Sequence, residues 1–326
     1  MCPSVIIRLL ASSSIGLLVV ASGAAGQGSD EGAPFLLLPV GADAVAIGRA
    51  VTALPGQESA FWNPAGLASV DESRLVLFRS DLGIVGVSTA ASVLAASPGI
   101  GTLGISYLLL DVGQQEYKDD DNSLLGTLSI RNHLGVVSTA AHLLPGLDVG
   151  LNFKVTQSRL SCRGSCFGLE ASSTSYAVDV GVQLVPGERA PFRLGAMVAN
   201  LGPRFQLENA SQADPLPARI RLGVAYDYLR RLGREGLQGW LAVEVQERVR
   251  GGGDPSLYMG SEVAAGLEQT LFVRAGYSAD ADQPGGVSVG FGMRLDKFQV
   301  SVAKSPAYSA ATDSGDPVTV SFSLAF

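Results

Sequence analysis

The chain has 326 residues, with 40 glycines and only 16% charged residues. Its mean hydropathy of +0.28 is too apolar for a typical soluble enzyme, yet beyond residue 25 no run supplies the ~18 consecutive apolar residues of a membrane helix. A net charge of −7 and an isoelectric point near 4.9 leave no basic stripe for nucleic acid.

Residues 1–25 read as a secretory signal peptide. Arg8 is followed by a largely apolar stretch interrupted by Ser12, Ser13 and Ser14, and then by the small residues Ala21-Ser22-Gly23-Ala24-Ala25. Cys2 precedes the apolar stretch, on the wrong side of it for a lipid acceptor. Residues 26–73 read as an N-terminal hatch. Segments 35–48 and 57–68 lack a strand period and are predicted to be short helices broken by Pro and Gly, of a size to plug a lumen.

From residue 74 onward one pattern recurs. Val287, Val289, Phe291, Met293 and Leu295 alternate with Ser288, Gly290, Gly292, Arg294 and Asp296, and the chain closes on Val318, Val320, Phe322, Leu324 and Phe326 alternating with small or polar residues. Side chains alternate across a strand, so each segment has one oily face and one small or polar face. A transmembrane β-barrel needs that division between lipid and lumen. Fourteen strands are predicted, at about 74–80, 83–95, 100–111, 124–143, 147–160, 172–185, 191–206, 215–230, 237–250, 256–268, 270–280, 286–296, 298–308 and 318–326. Short links mostly alternate with longer ones such as 112–123, 161–171, 202–214 and 308–317, as expected for turns on one rim and loops on the other. The fold class is therefore all-β, an antiparallel transmembrane barrel of about 14 strands spanning 74–326, in the bacterial outer membrane.

Charged residues fall mainly on the inner face, Arg219, Arg221, Arg274, Arg294, Glu244 and Glu262 among them. They either line a permeation path or form paired ladders filling the lumen. Cys162 and Cys166 sit in a Gly/Ser-rich segment and are candidates for a small loop disulfide in an oxidising compartment.

No catalytic residue, cofactor or metal is expected. Gly286-Val287-Ser288-Val289-Gly290 has the spacing of a nucleophile elbow, but the alternation runs straight through it, which puts Ser288 in mid-strand. His133 and His142 share one strand without a third partner and are expected at the lumen or rim. Asp119-Asp120-Asp121-Asn122 lacks the spacing and closing Glu of a calcium loop.

Two stretches carry a resemblance to a known family. They are Gly41-Ala42-Asp43-Ala44-Val45-Ala46-Ile47-Gly48-Arg49-Ala50 and Glu58-Ser59-Ala60-Phe61-Trp62-Asn63-Pro64-Ala65-Gly66-Leu67-Ala68. With Asn200-Leu201-Gly202-Pro203 and Val273-Arg274-Ala275-Gly276-Tyr277, the chain resembles the PorV/PorQ family, itself similar to the wider FadL-like group of fourteen-stranded outer-membrane proteins. The resemblance implies that Phe61, Trp62, Asn63, Pro64, Ala65 and Gly66 belong to a hatch inside the barrel and lie on the ligand path. It also implies a role in transport or in protein secretion across the outer membrane, with type IX secretion-system proteins as partners. The alternative is a FadL-like channel taking up small hydrophobic solutes such as fatty acids. Outer-membrane lipid is a partner on either reading.

Overall fold

The computed structural model describes residues 31–326, apart from 98, 167–169, 188–189, 207–212, 234–235, 267–269, 281–284 and 306–316. The predicted signal peptide and most of the link after residue 305 lie outside the described residues.

Fourteen strands pair in chain order, each antiparallel to the next, and the last pairs with the first. They are β1 Arg74–Asp81, β2 Val87–Ser97, β3 Gly101–Lys118, β4 Leu124–Leu144, β5 Leu147–Gly164, β6 Ala171–Leu184, β7 Phe192–Leu201, β8 Arg219–Asp227, β9 Leu237–Arg248, β10 Ser256–Ala265, β11 Leu271–Ala279, β12 Gly286–Leu295, β13 Phe298–Lys304 and β14 Val318–Ala325. Closure joins Arg74 to Ala325 and Asp81 to Val318, leaving no sheet edge along the β1–β14 seam.

The period-two reading decides which side faces out. Val287, Phe291 and Leu295 are 55%, 52% and 55% exposed, and the outward aliphatic residues of the other strands behave alike. Ser288, Ser301, Ser321 and Ser323, on the opposite face, are buried. A continuous apolar exterior over a polar interior suits lipid and not water, so this is an outer-membrane barrel. The chain terminus shares a rim with the tight turns at 145–146 and 296–297, which makes that rim the periplasmic one.

Several boundaries depart from the sequence reading. The stretch expected as a loop after residue 111 continues as strand to Lys118, because a bulge at Val112-Gly113, with Gly113 at φ 85°, shifts the register and lets pairing with β4 resume. β7 stops at Leu201 and β8 starts at Arg219, both shorter than expected. Asn200 turns the chain at φ 58°, and Pro203, Pro215 and Pro217 offer no N–H to a ladder. The start of the expected second strand is a 3-10 turn, Gly83–Val85. The wall is consequently tall on one side, where β3, β4 and β5 have 18, 21 and 18 residues, and low across β10 to β14.

The N-terminal segment contains a short helix, α1 Ala42–Ala46, and 3-10 turns at Pro34–Leu37, Ser59–Phe61 and Pro64–Ser69. It packs inside the barrel, the Pro64–Ser69 turn on β4, β5 and β6 and α1 on β11 to β14. The larger apolar core joins its Phe35, Val40, Leu67 and Val70 to the inward Val76, Phe78, Leu94, Leu108 and Leu134.

Candidate functional site

Asn63 is the keystone of the N-terminal segment. It is wholly buried, and its Oδ1 caps the Pro64–Ser69 turn by accepting from the Ala65 N–H at 3.1 Å. Its Nδ2 donates to the Thr52 carbonyl at 2.8 Å and to the Val182 carbonyl of β6 at 3.1 Å. Pro64 sits at the first position of that turn, where its missing N–H costs nothing. Gly181 lies directly beneath Asn63, and a Cβ there would overlap Oδ1. Gly150 makes the same room for Pro64 and Ala65, Gly195 for Thr52, and Gly260 and Gly276 for Ile47. The inner-face glycines thus form a trough shaped to this segment.

Phe61 meets Phe78 of β1 edge-on at 5.8 Å between centroids. The Trp62 indole donates to the Val40 carbonyl at 2.8 Å. Gly66 closes the turn by donating to the Asn63 carbonyl at 3.0 Å. The structure therefore draws Phe61 through Gly66 into one packed knot.

The inner-face charges divide into two groups on the two sides of this knot. Arg221 pairs with Glu244 at 3.1 Å and lies 4.7 Å from the Trp62 ring centroid, while Glu244 also accepts from the Thr52 N–H at 2.8 Å. Arg219 grips Glu31 with two bonds of 2.7 Å. On the periplasmic side Arg274 bridges Glu262 of β10 and Asp43 of α1, the latter at 2.8 Å. Arg294 donates to Gln299 at 2.9 Å. Some of these groups pair along the wall, but Arg219, Glu244 and Arg274 also clasp the N-terminal segment. Nothing in the strand pattern shows that.

Glu58 is a functional candidate the sequence reading passed over. It accepts from the Ala44 N–H at 2.8 Å, the Asp43 N–H at 3.2 Å and the Ser321 hydroxyl at 3.0 Å, so it ties α1 to β14. Burial, and then the Asp43 carboxylate, push it up to about 8. The signal for it was present: one carboxylate preceding an otherwise uncharged ten-residue stretch.

Three cavities follow one another along the axis. The outer one, of about 440 Å³, is mostly apolar, lined by Phe35, Leu37, Leu38, Val85, Leu110 and Phe205, with Arg219 and Asn132 among its few polar groups. The middle one is about 40 Å³ and shares Leu37, Leu38 and Arg219 with the outer cavity. The inner one, about 550 Å³ and lined about equally by polar and apolar surface, opens beside Arg74, Arg274 and Arg294 and shares Trp62 with the middle one. Trp62, backed by Arg221, is the partition.

The remaining sequence candidates are placed as follows. Cys162 and Cys166 lie together at the outer end of β5 with Cα atoms 6.1 Å apart, within reach of a disulfide. Ser288 sits in the middle of β12 and donates to the Ala46 carbonyl at 3.3 Å, an anchor for α1 with no base beside it. His133 is not in the lumen. It faces outward, bonded to the Tyr107 hydroxyl at 2.6 Å, because the odd-numbered residues of β4 in this stretch point away from the lumen. His142 is at the periplasmic rim beside Asp148. Asp119 accepts from the N–H groups of Asp121 and Ser123, which makes it a turn residue.

Comparison with known proteins puts this geometry in context. No family model and no curated protein matches the chain. Solved structures do. The Ralstonia pickettii toluene transporter TbuX matches with a TM-score of 0.60 at 12% identity, over 88% of this chain and 98% of that one. The Pseudomonas putida toluene transporter TodX gives 0.60 at 13%, over 87% and 97%. A Pseudomonas aeruginosa FadL homologue gives 0.59 at 11%, over 89% and 99%. The chain has the fold of the FadL-like fourteen-stranded barrels. At such low identity the likeness speaks to the fold alone. The PorV/PorQ resemblance finds no counterpart among these matches.

Proposed function

We propose that the protein is a non-enzymatic outer-membrane channel for small hydrophobic solutes, and that residues 31–73 act as its hatch. One observation carries this reading. An apolar outer cavity leads, through shared residues, to a narrow middle cavity and then to a wider chamber of mixed lining on the periplasmic side, with Trp62 between the last two. An apolar chamber with a few polar groups is the ordinary form of a small-molecule site. Two proteins with this fold, TbuX and TodX, are toluene transporters, in keeping with an apolar cargo. On this reading the buried Asn63 and Pro64 close the path, and passage requires the knot of residues 61–66 to shift. The cations Arg219 and Arg221 sit at the neck, where they would meet a carboxylate if the solute carries one.

The secretion reading places the contacts on loops and rim, and no feature of the site favours it. The two are separated by measuring entry of toluene and of a fluorescent fatty acid into proteoliposomes. Saturable entry that a bulky substitution in the outer cavity, Val112→Trp, removes supports the channel. Absence of binding and entry for both solutes overturns it.

A further inference from the structure

The outward face of β3 to β6 changes from apolar to charged over two rows. Tyr107, Gly135, Val155 and Tyr176 are in register across the four strands and form the upper edge of the apolar belt, with Phe153 and Tyr176 stacked at 6.1 Å. Tyrosine at such a level marks a membrane interface. Two residues further out lies the row Leu109, His133, Gln157, Thr174, and two beyond that the row Asp111, Arg131, Arg159, Ser172. Four residues at ~3.3 Å each, on a strand tilted by about 40°, raise the arginine row about 10 Å above the tyrosines. The headgroup zone begins at the edge of the hydrocarbon and extends ~5–8 Å outward, and arginine side chains reach back along the surface into it.

Arg131 and Arg159 stand directly opposite each other across the β4–β5 ladder. Like charges in such a pair repel and destabilise the sheet unless an anion is shared between them. Arg131 has one carboxylate, Asp111 at 3.0 Å, and its side chain is still 57% exposed. Arg159 and, two rows further on the same face, Arg163 are exposed and pair with no carboxylate among the described residues. Of the neighbouring acids, Glu116 is taken by Lys118 at 2.9 Å. Glu170 shares with Arg159, Gln157 and Ser172 a surface hollow of about 270 Å³ without an ion pair to it.

We propose that this face is a docking site for the phosphorylated headgroup of an outer-leaflet glycolipid, with Arg131 and Arg159 sharing the phosphate and Gln157 and Ser172 bordering it. Two observations select this occupant. The arginine row is continuous with the lipid-contacting belt below it, and Arg131 and Arg159, as direct cross-strand partners, are placed to share one anion.

The test uses the full-length protein in phosphatidylcholine nanodiscs, with bisphosphorylated lipid A as probe and native mass spectrometry as readout. The wild type is expected to retain lipid A and not its dephosphorylated form with the same acyl chains. At about 1 kcal/mol per arginine near the surface, R131Q/R159Q should weaken retention roughly 30-fold. Arg79→Gln, at the outer end of β1 and also outward, should change it little. Equal retention of the two glycolipids, or an unchanged double variant, overturns the proposal. Displacement of the lipid by inorganic phosphate alone overturns the assignment to a lipid. If the double variant fails to fold, the two-glycolipid comparison on the wild type still decides.

Discussion

The guanidinium of Arg221 lies 4.7 Å from the ring centroid of Trp62, and the Trp62 indole in turn donates to the Val40 carbonyl. Trp62 lines both the middle and the inner cavity, so this stack stands between them. Trp62→Ala should join them and give measurable solute leakage in proteoliposomes, at a stability cost of about 3–5 kcal/mol. Trp62→Phe should keep the barrier. A leak-free Trp62→Ala variant that still folds would show that the partition lies elsewhere.

Gly181 is where the wall yields to Asn63. Gly181→Val is expected to unseat the turn while leaving the β-barrel closed, since β6 keeps its ladder and gains a better strand former. Limited proteolysis should then cut within residues 50–70, which the wild type protects. Asn63→Ala removes three hydrogen bonds and leaves two carbonyls with one partner fewer. It should cost about 2–4 kcal/mol in a denaturant titration.

The seating of α1 should weaken as pH rises. Glu58 has its proton affinity raised in the folded chain, from an ordinary value of 4.5 to about 8, by burial and by Asp43. The folded form therefore binds the proton more tightly than the unfolded form. That contribution is complete below pH 4.5 and is lost as pH climbs through 8. Hydrogen exchange of the amides of residues 42–47, corrected for the intrinsic pH dependence, should be faster at pH 9 than at pH 6. In Glu58→Gln the difference should disappear.

Phe291 is half-exposed at the centre of β12 and faces lipid. Phe291→Arg places a charge near mid-bilayer and should lower stability by about 2–4 kcal/mol in unfolding from phosphatidylcholine vesicles. The same substitution at Gln157, above the tyrosine row, should be close to neutral. Similar losses at the two positions would contradict the membrane placement.

Cys162 and Cys166 are close enough to bond. Protein purified from an oxidising compartment should resist alkylation at both until it is reduced. Reduction should leave the stability of the barrel almost unchanged, because the closed loop spans only a few residues at the rim.

The outward and inward faces of the strands, their number and the lumenal position of the charges were legible without coordinates. Period-two alternation is a local property, and a charge on the lipid side carries a penalty at every position along a strand. Val287, Phe291 and Leu295 face lipid and Arg219, Arg274 and Glu244 face inward because each of their own segments says so. What those charges hold was decided by closure of the barrel. Arg219 meets Glu31 across 188 positions, and the Ala42 N–H meets the Ser321 hydroxyl across 279. Contacts of that span depend on the summed register of fourteen strands, which no single segment encodes. The same holds for the left-handed turn at Asn200 and the bulge at Gly113, where one backbone angle shortened β7 and lengthened β3. Local chemistry settled the sides of the wall, while the packed interior settled what lies between them.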